Sequence, residues 1–239
     1  MKNILRQVYR KLSRHQDILT LNDPFLGWLR SANAGFLNEG NIYSFDFAIR
    51  HLRSNSPVVE IGAFCGLSTN VISYLLRKHS KQNQLFVSDP WLFENGYIDG
   101  GFIPGTKILF NNYRKHVISS FMANTSFFSD MLPHPIESTS DTFFEKWAAR
   151  ASVLDIFNRQ VILGGPISFA YIDGNHTYEY AKRDFHNVDA YLEAGGFILL
   201  DDSFDGSPFE CAQLARDVLD FPSYKLVHKN PNFLFQKMY

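Results

Sequence analysis

The chain has 239 residues, enough to bury the core of one α/β domain with additions. Hydrophobic residues make up 45% and charged residues 20%, ordinary globular values that exclude a disordered or fibrous chain. Lys and Arg total 23 against 24 Asp and Glu, a formal charge of −1, so the basic footprint of a nucleic-acid binder is absent. The two cysteines, Cys65 and Cys211, sit in neither a CxxC pair nor a His-rich cluster, which argues against a zinc site or a disulfide framework and suits a reducing cytoplasm. The N-terminus has no apolar signal core, and no stretch approaches the length of a membrane span.

Residues 1–55 read as helical, with Ile4, Val8, Leu12 and later Phe45, Phe47, Ala48 and Leu52 at helical spacing. The expectation is a helical cap or lid, or a surface for homo-oligomers. Within it, Ala34 to Asn41 is turn-rich and reads either as a lid over a ligand or as an ordinary helix connector. Residues 56–239 are expected to form the main domain. Val58–Ile61 is a short apolar strand, Thr69 to His79 an amphipathic helix, and Gln84–Ser88 a second strand that ends at Asp89-Pro90-Trp91. Gly96, Gly100, Gly101, Pro104 and Gly105 predict a loop, followed by a helix over 108–118, a strand near 135–137 and a helix over 141–150 capped by Thr139 or Ser140. Ser152 to Gly165 reads as an insertion before the strand Ile167–Asp173. A helix from Tyr178 to Leu192 is expected to stop at Gly195-Gly196, before the buried strand Phe197–Leu200. A helix over 209–219 and a hairpin of Tyr224–His228 with Phe233–Lys237, joined by Lys229-Asn230-Pro231-Asn232, complete the chain. The pattern predicts a Rossmann-like, doubly wound, mostly parallel seven-stranded sheet with an antiparallel terminal hairpin.

The aromatic content is high, with 23 Phe and 11 Tyr. Most of these rings belong to the core. Phe127-Phe128 and Phe143-Phe144 are also read as candidate walls of an apolar substrate pocket.

Two strand ends carry the chemistry. The first is Glu60-x-Gly62-x-x-x-Gly66-x-Ser68-Thr69, a strand running into a glycine turn that opens a helix. It lacks the G-x-G-x-x-G spacing that brings a dinucleotide pyrophosphate onto a helix N-terminus. An acid inside the turn suits instead the cationic amino-acid moiety of S-adenosylmethionine (AdoMet), which has no phosphate, and Ser68 and Thr69 either cap the helix or bond the carboxylate of that moiety. Asp89, ending the next strand, is placed for two ribose hydroxyls. The second strand end is Tyr171-Ile172-Asp173-Gly174-Asn175-His176, a carboxylate followed three residues later by an imidazole.

With Ile172-Asp173-Gly174-Asn175-His176-Thr177-Tyr178, Asp184 and Gly195-Gly196-Phe197-Ile198-Leu199-Leu200-Asp201-Asp202, the chain resembles the class I AdoMet-dependent methyltransferases, and within them the metal-dependent macrocin-type branch that methylates sugars and natural products. The resemblance covers residues 57 to about 205 and implies an O-methyltransferase acting on a hydroxyl of a small metabolite. It implies a cofactor site of Glu60, Gly62, Ala63, Gly66, Ser68, Thr69, Asp89, Trp91 and Asp173. It also implies Mg2+ on Asp173, Asp201 and Asp202, a set of hard oxygen ligands, and His176 as the base that takes the hydroxyl proton. The acidic pair departs from the Glu-Asp of the resembling enzymes by being Asp-Asp, one methylene shorter. A metal-independent N- or C-methyltransferase and a non-catalytic AdoMet-binding protein stay open beside this reading, and Asp201-Asp202 also reads as a helix cap.

Overall fold

The computed structural model describes residues 18–92 and 101–239. Ile4, Val8, Leu12, Gly96 and Gly100, invoked above, lie outside the described residues. Seven strands form one sheet in the order β3-β2-β1-β6-β7-β9-β8. These are β1 (Val58–Ile61), β2 (Leu85–Ser88), β3 (His134–Ile136), β6 (Ile167–Ile172), β7 (Leu192–Leu200), β8 (Tyr224–Lys229) and β9 (Phe233–Lys237). The first five are parallel; β9 runs antiparallel to β7 and β8 antiparallel to β9. This is the expected doubly wound sheet with its closing hairpin. The expected insertion is a separate antiparallel pair, β4 (Ser152–Leu154) with β5 (Gln160–Ile162).

The central strands are buried along their whole length, because helices cover both faces. Alternate residues therefore feed two cores. Val58, Leu85, Val87, Phe169, Tyr171, Phe197 and Leu199 face one layer, made by α1 (Pro24–Ala32), α2 (Glu39–Arg50), α3 (Leu67–Lys78) and α4 (Phe110–Thr125). Val59, Ile61, Phe86, Ala170, Ile172, Ile198 and Leu200 face the other, made by α5 (Ser140–Ala148), α6 (Tyr178–Asp189) and α7 (Cys211–Leu219). Asp23 caps α1 through the Phe25 and Leu26 amides, and Thr139 caps α5 through the Thr142 amide, as polar side chains do at a helix start. The N-terminal helices complete the sheet's cover: Phe45, Ala48 and Ile49 of α2 are fully buried, and Phe45 meets Tyr171 edge to face at 4.8 Å. Among the described residues no helix is long and apolar enough to cross a membrane.

One boundary corrects the sequence reading. α6 ends at Asp189, three residues before Leu192, and Gly195-Gly196 lie inside β7, where they serve the strand instead of stopping a helix. Leu192 pairs with Ile167 but Phe197 pairs with Phe169, so β7 carries extra residues across a register shift. A bulge of this kind favours glycine: Gly195 has φ +86°, and a Cβ on Gly196 would lie 2.9 Å from the Glu193 carbonyl oxygen.

Register decides what meets at the sheet's C-terminal edge. Ile61 pairs with Ser88 and with Ile172, and Ile172 with Leu200. The next residue of each strand thus emerges side by side, and the ladder continues through Gly62 N to Ser88 O (2.9 Å), Asp173 N to Ile61 O (2.8 Å) and Asp201 N to Ile172 O (2.9 Å). Gly62 has φ +82°, and a Cβ there would sit 1.9 Å from the Asp173 carbonyl oxygen. Backbone conformation and close approach both demand glycine. Gly62→Ala is expected to cost more than about 3 kcal/mol or to prevent folding, measured by urea denaturation; a loss below about 1 kcal/mol would show that the two strand ends are not pressed together as described.

Candidate active site

The glycine turn is built from short-range bonds that the sequence foreshadows. Phe64 and Gly66 take positive φ, Gly66 starts α3, and a Cβ on Gly66 would press on Phe121 and Thr125 of α4. The Asp89 carboxylate accepts from Ala63 N (2.8 Å), Phe64 N (3.0 Å) and Trp91 N (2.6 Å). Trp91 is buried, its Nε1 donates to the Phe64 carbonyl at 2.9 Å, and its ring packs on Phe121 at 5.3 Å. Asp89 and Trp91, expected to face a cofactor, are thus engaged in holding the turn, and a ribose would share Asp89 with three backbone amides. Burial pushes the Asp89 carboxyl above its ordinary range, against the pull of those amides and of the Arg114 charge.

Three asparagines extend this support, and the sequence reading missed them. Asn33 and Asn124 both donate to the Cys65 carbonyl, at 3.2 and 2.8 Å, and Asn70 donates to Asn33 Oδ1 at 2.7 Å and to the Asn124 carbonyl at 2.9 Å. The segment after α1 lies directly on the turn, where Phe36, itself exposed, stacks on Phe64 at 6.0 Å.

Glu60 lies beneath the turn, fully buried. Its Oε2 accepts from the Thr69 hydroxyl at 2.6 Å, while Oε1 has no partner among the described residues. Burial raises its pKa to about 7, assisted by the Asp89 charge and opposed by the Ser68 and Thr69 hydroxyls. An orphaned, half-protonated carboxyl oxygen fits a site that receives a cationic ligand group.

The second strand end brings the three expected carboxylates together. Half-buried Asp173 is pushed well above the ordinary carboxylate range by the loss of water around it, then by Asp201 and Asp202. Burial and Asp201 also raise Asp202, against the opposing effect of His176. Asp201 Oδ1 accepts from Asn41 Nδ2 at 2.5 Å and Asn232 Nδ2 at 2.6 Å; Asp173 Oδ2 accepts from the Tyr171 hydroxyl at 3.2 Å. Asp202, at φ +49°, faces His176, its Oδ2 lying 3.2 Å from Nδ1. Among the described residues no three His, Cys, Asp or Glu side chains are arranged as a ready metal-ligand set. The chemistry of the donors nonetheless fits a hard divalent cation, because the crowded carboxylates that raise the proton affinity of Asp173 and Asp202 call for positive charge.

His176 is fixed from several sides. Phe209 lies against its ring at 4.6 Å, Cys211 Sγ is 3.9 Å from Nδ1, and the Glu210 amide donates to its carbonyl at 3.1 Å. The loop that carries it is anchored at Asp184, which is buried, accepts from the Ser140 hydroxyl and would meet a Cβ placed on Gly174. Burial raises Asp184 to about 6.

Tyr171, Asn41 and Asn232 are hydrogen-bond partners of the acidic cluster that the sequence reading did not find. Tyr171 had a signal, being two residues before Asp173 on one strand and so on the same side of the sheet. The asparagines, 160 and 31 residues from Asp201, had none. The aromatic pairs divide. Phe143 and Phe144 are core, packed around Trp147, whereas Phe127 and Phe128 join Phe25, Trp28, Tyr74 and Arg77 in a surface cleft of about 320 Å3.

Glu60 makes a test of this electrostatic picture. It holds a proton up to about pH 7 when folded but only to about 4.5 when unfolded. Across that window the folded state binds the extra proton, so stability falls as pH rises and levels off above it. The ligand-free Glu60→Gln protein should match wild type at pH 5 and exceed it at pH 8 by up to about 3 kcal/mol in urea denaturation. Parallel pH profiles for the two proteins would contradict the assignment.

A family model described as a methyltransferase domain matches residues 59–203, which span the glycine turn, Asp173, His176 and the acidic pair. The fold is also that of several solved structures. An O-methyltransferase from Bacillus cereus in complex with SAH is 12% identical, with 93% of this chain and 94% of that one covered at a TM-score of 0.55. The O-methyltransferase TomG from Streptomyces achromogenes, involved in tomaymycin synthesis and solved with SAM, is 9% identical, with 94% of each chain covered and a TM-score of 0.55. The calicheamicin methyltransferase CalS11 is 15% identical, with 93% and 96% covered and a TM-score of 0.53. The matched domain, its glycine turn and the strand order together place the chain in the methyltransferase domain family, as an AdoMet-dependent methyltransferase of the class I, Rossmann-like fold.

Proposed function

We propose that this methyltransferase transfers the methyl group of AdoMet to a hydroxyl of a small metabolite, a sugar or natural product, with Mg2+ assisting and His176 as the base. One observation carries the reading: the register Ile61, Ile172, Leu200 sets the glycine turn and the acidic cluster beside each other, with His176 next to Asp202. The O-methyltransferases among the fold neighbours are in keeping with it.

In this reading Glu60, Gly62, Ala63, Gly66, Ser68, Thr69, Asp89, Trp91 and Asp173 form the cofactor site, Glu60 and Asp173 facing the cationic end. Asp173, Asp201 and Asp202 hold the cation, which when bound lowers the pKa of an acceptor hydroxyl and orients its oxygen. His176 Nδ1–H donates to Asp202, a tautomer that leaves the acceptor lone pair on Nε2, and Nε2 takes the hydroxyl proton. The acceptor oxygen then attacks the sulfonium methyl in line, and the rigid strand ends contribute by holding the partners in that geometry. Phe209, against the His176 ring and partly exposed, is placed to border the acceptor.

The metal-independent alternative draws on the absence of a ready ligand set among the described residues. One series of assays separates the two. Asp202→Ala should abolish magnesium-dependent turnover, and His176→Ala should lower kcat by about 100- to 10,000-fold, while AdoMet affinity measured by calorimetry stays near wild type in both. Full turnover in excess chelator would remove the metal from the reaction, and an undiminished His176→Ala rate would remove the base.

A further inference from the structure

Asp201 is held by residues from two distant parts of the chain, Asn41 and Asn232. Asn41 lies in the first turns of α2, and Asn232 in the turn between β8 and β9. Both donate to the same oxygen, Oδ1, and Asn232 also donates to Asn41 Oδ1 at 3.0 Å. The Asn232 side-chain oxygen Oδ1 is in turn fixed by the backbone amides of Ser203 and Phe204, at 2.9 and 3.1 Å, just beyond the acidic pair. Both asparagines are almost wholly buried. The turn is fastened to the cap as well: Asn230 exchanges two 2.8 Å bonds with the Leu19 backbone and donates to the Gly40 carbonyl at 3.2 Å. A Cβ on Gly40 would lie 1.7 Å from the Asn230 carbonyl oxygen, so the two segments touch backbone to side.

The choice of amide is informative. A lysine or arginine at either position would neutralise Asp201 and cost it as a cation ligand, whereas an amide orients the carboxylate and leaves its charge intact. Two donors on Oδ1 fix the carboxylate plane beside Asp173 and Tyr171, both of which feel the Asp201 charge. A role confined to closing the hairpin would be met by Asn230 and by Oδ1 of Asn232, with no need for Asn41 to reach across to Asp201.

We infer that Asn41 and Asn232 are positioning residues that hold Asp201 for a divalent cation, and that cation binding is thereby coupled to the docking of helix α2 and the β8–β9 turn. The inference rests on the magnesium reading above. It is tested on the full chain bound to S-adenosylhomocysteine, with Mn2+ as the probe in calorimetry and in hydrogen exchange. Asn41→Ala and Asn232→Ala should each weaken Mn2+ binding by about 10- to 100-fold, with S-adenosylhomocysteine affinity kept within about twofold. Asn41→Ser, which retains a donor, should fall between Asn41→Ala and wild type, and it carries the test if Asn232→Ala fails to fold. Mn2+ should slow amide exchange in 39–50 and 230–232 of wild type, and not in Asn41→Ala. Variants that lose thermal stability but keep wild-type Mn2+ affinity would overturn the positioning role and leave the magnesium reading standing. A wild-type protein that binds no Mn2+ would overturn both.

Discussion

Five carboxylates, Glu60, Asp89, Asp173, Asp201 and Asp202, meet at one edge of one sheet; the first two are buried and the other three half-buried. Removing that much negative charge from water is unfavourable unless each group is met by a proton, a donor or a cation. The structure answers each differently. Asp89 is met by three backbone amides, Asp201 by two asparagine amides, Asp202 by His176, and Asp173 by the Tyr171 hydroxyl. Glu60 keeps one oxygen orphaned. The two least satisfied groups, Glu60 and Asp173, belong to the turn and the strand end between which a cationic ligand would bind. The remaining deficit is the binding capacity of the site.

The sheet is what makes this crowding affordable in geometry. Parallel strands in register deliver Gly62, Asp173 and Asp201 to adjacent positions, and only a glycine at 62 lets the first two backbones touch. Two helical layers then shut water out from either side. The cap is part of this arrangement: Asn33 holds the glycine turn, Asn41 holds Asp201, and Phe45 packs on Tyr171 directly below the acids. The N-terminal helices act on the site through polar bonds as well as through cover.

Local signals made the fold and the two strand ends legible. Apolar strand runs, helix periodicity and the ordered glycine turn sufficed for the sheet and for the family, because each is written in a few adjacent residues. Gly195-Gly196 misled for the same reason: a helix stop and a strand bulge have the same local spelling, and only the pairing of Leu192 with Ile167 decides between them. Asp89 and Trp91 were expected at the cofactor site, yet their bonds to the turn could not be read, since they depend on where the Ala63 and Phe64 backbone groups point. Asn41 and Asn232 were out of reach, because an asparagine in a helix start or a hairpin turn is ordinary until the fold brings it to Asp201.

The central claim is that the two strand ends form one site for a cationic cofactor and a divalent ion. The most direct measurement is a crystal structure with S-adenosylhomocysteine and Mn2+, with anomalous scattering used to locate the metal. The account predicts the cofactor between the glycine turn and Asp173, and one manganese peak ligated by Asp173, Asp201 and Asp202 with Asn41 and Asn232 still on Asp201. A cofactor bound elsewhere, or a fully loaded crystal with no metal peak at the acidic cluster, would contradict it.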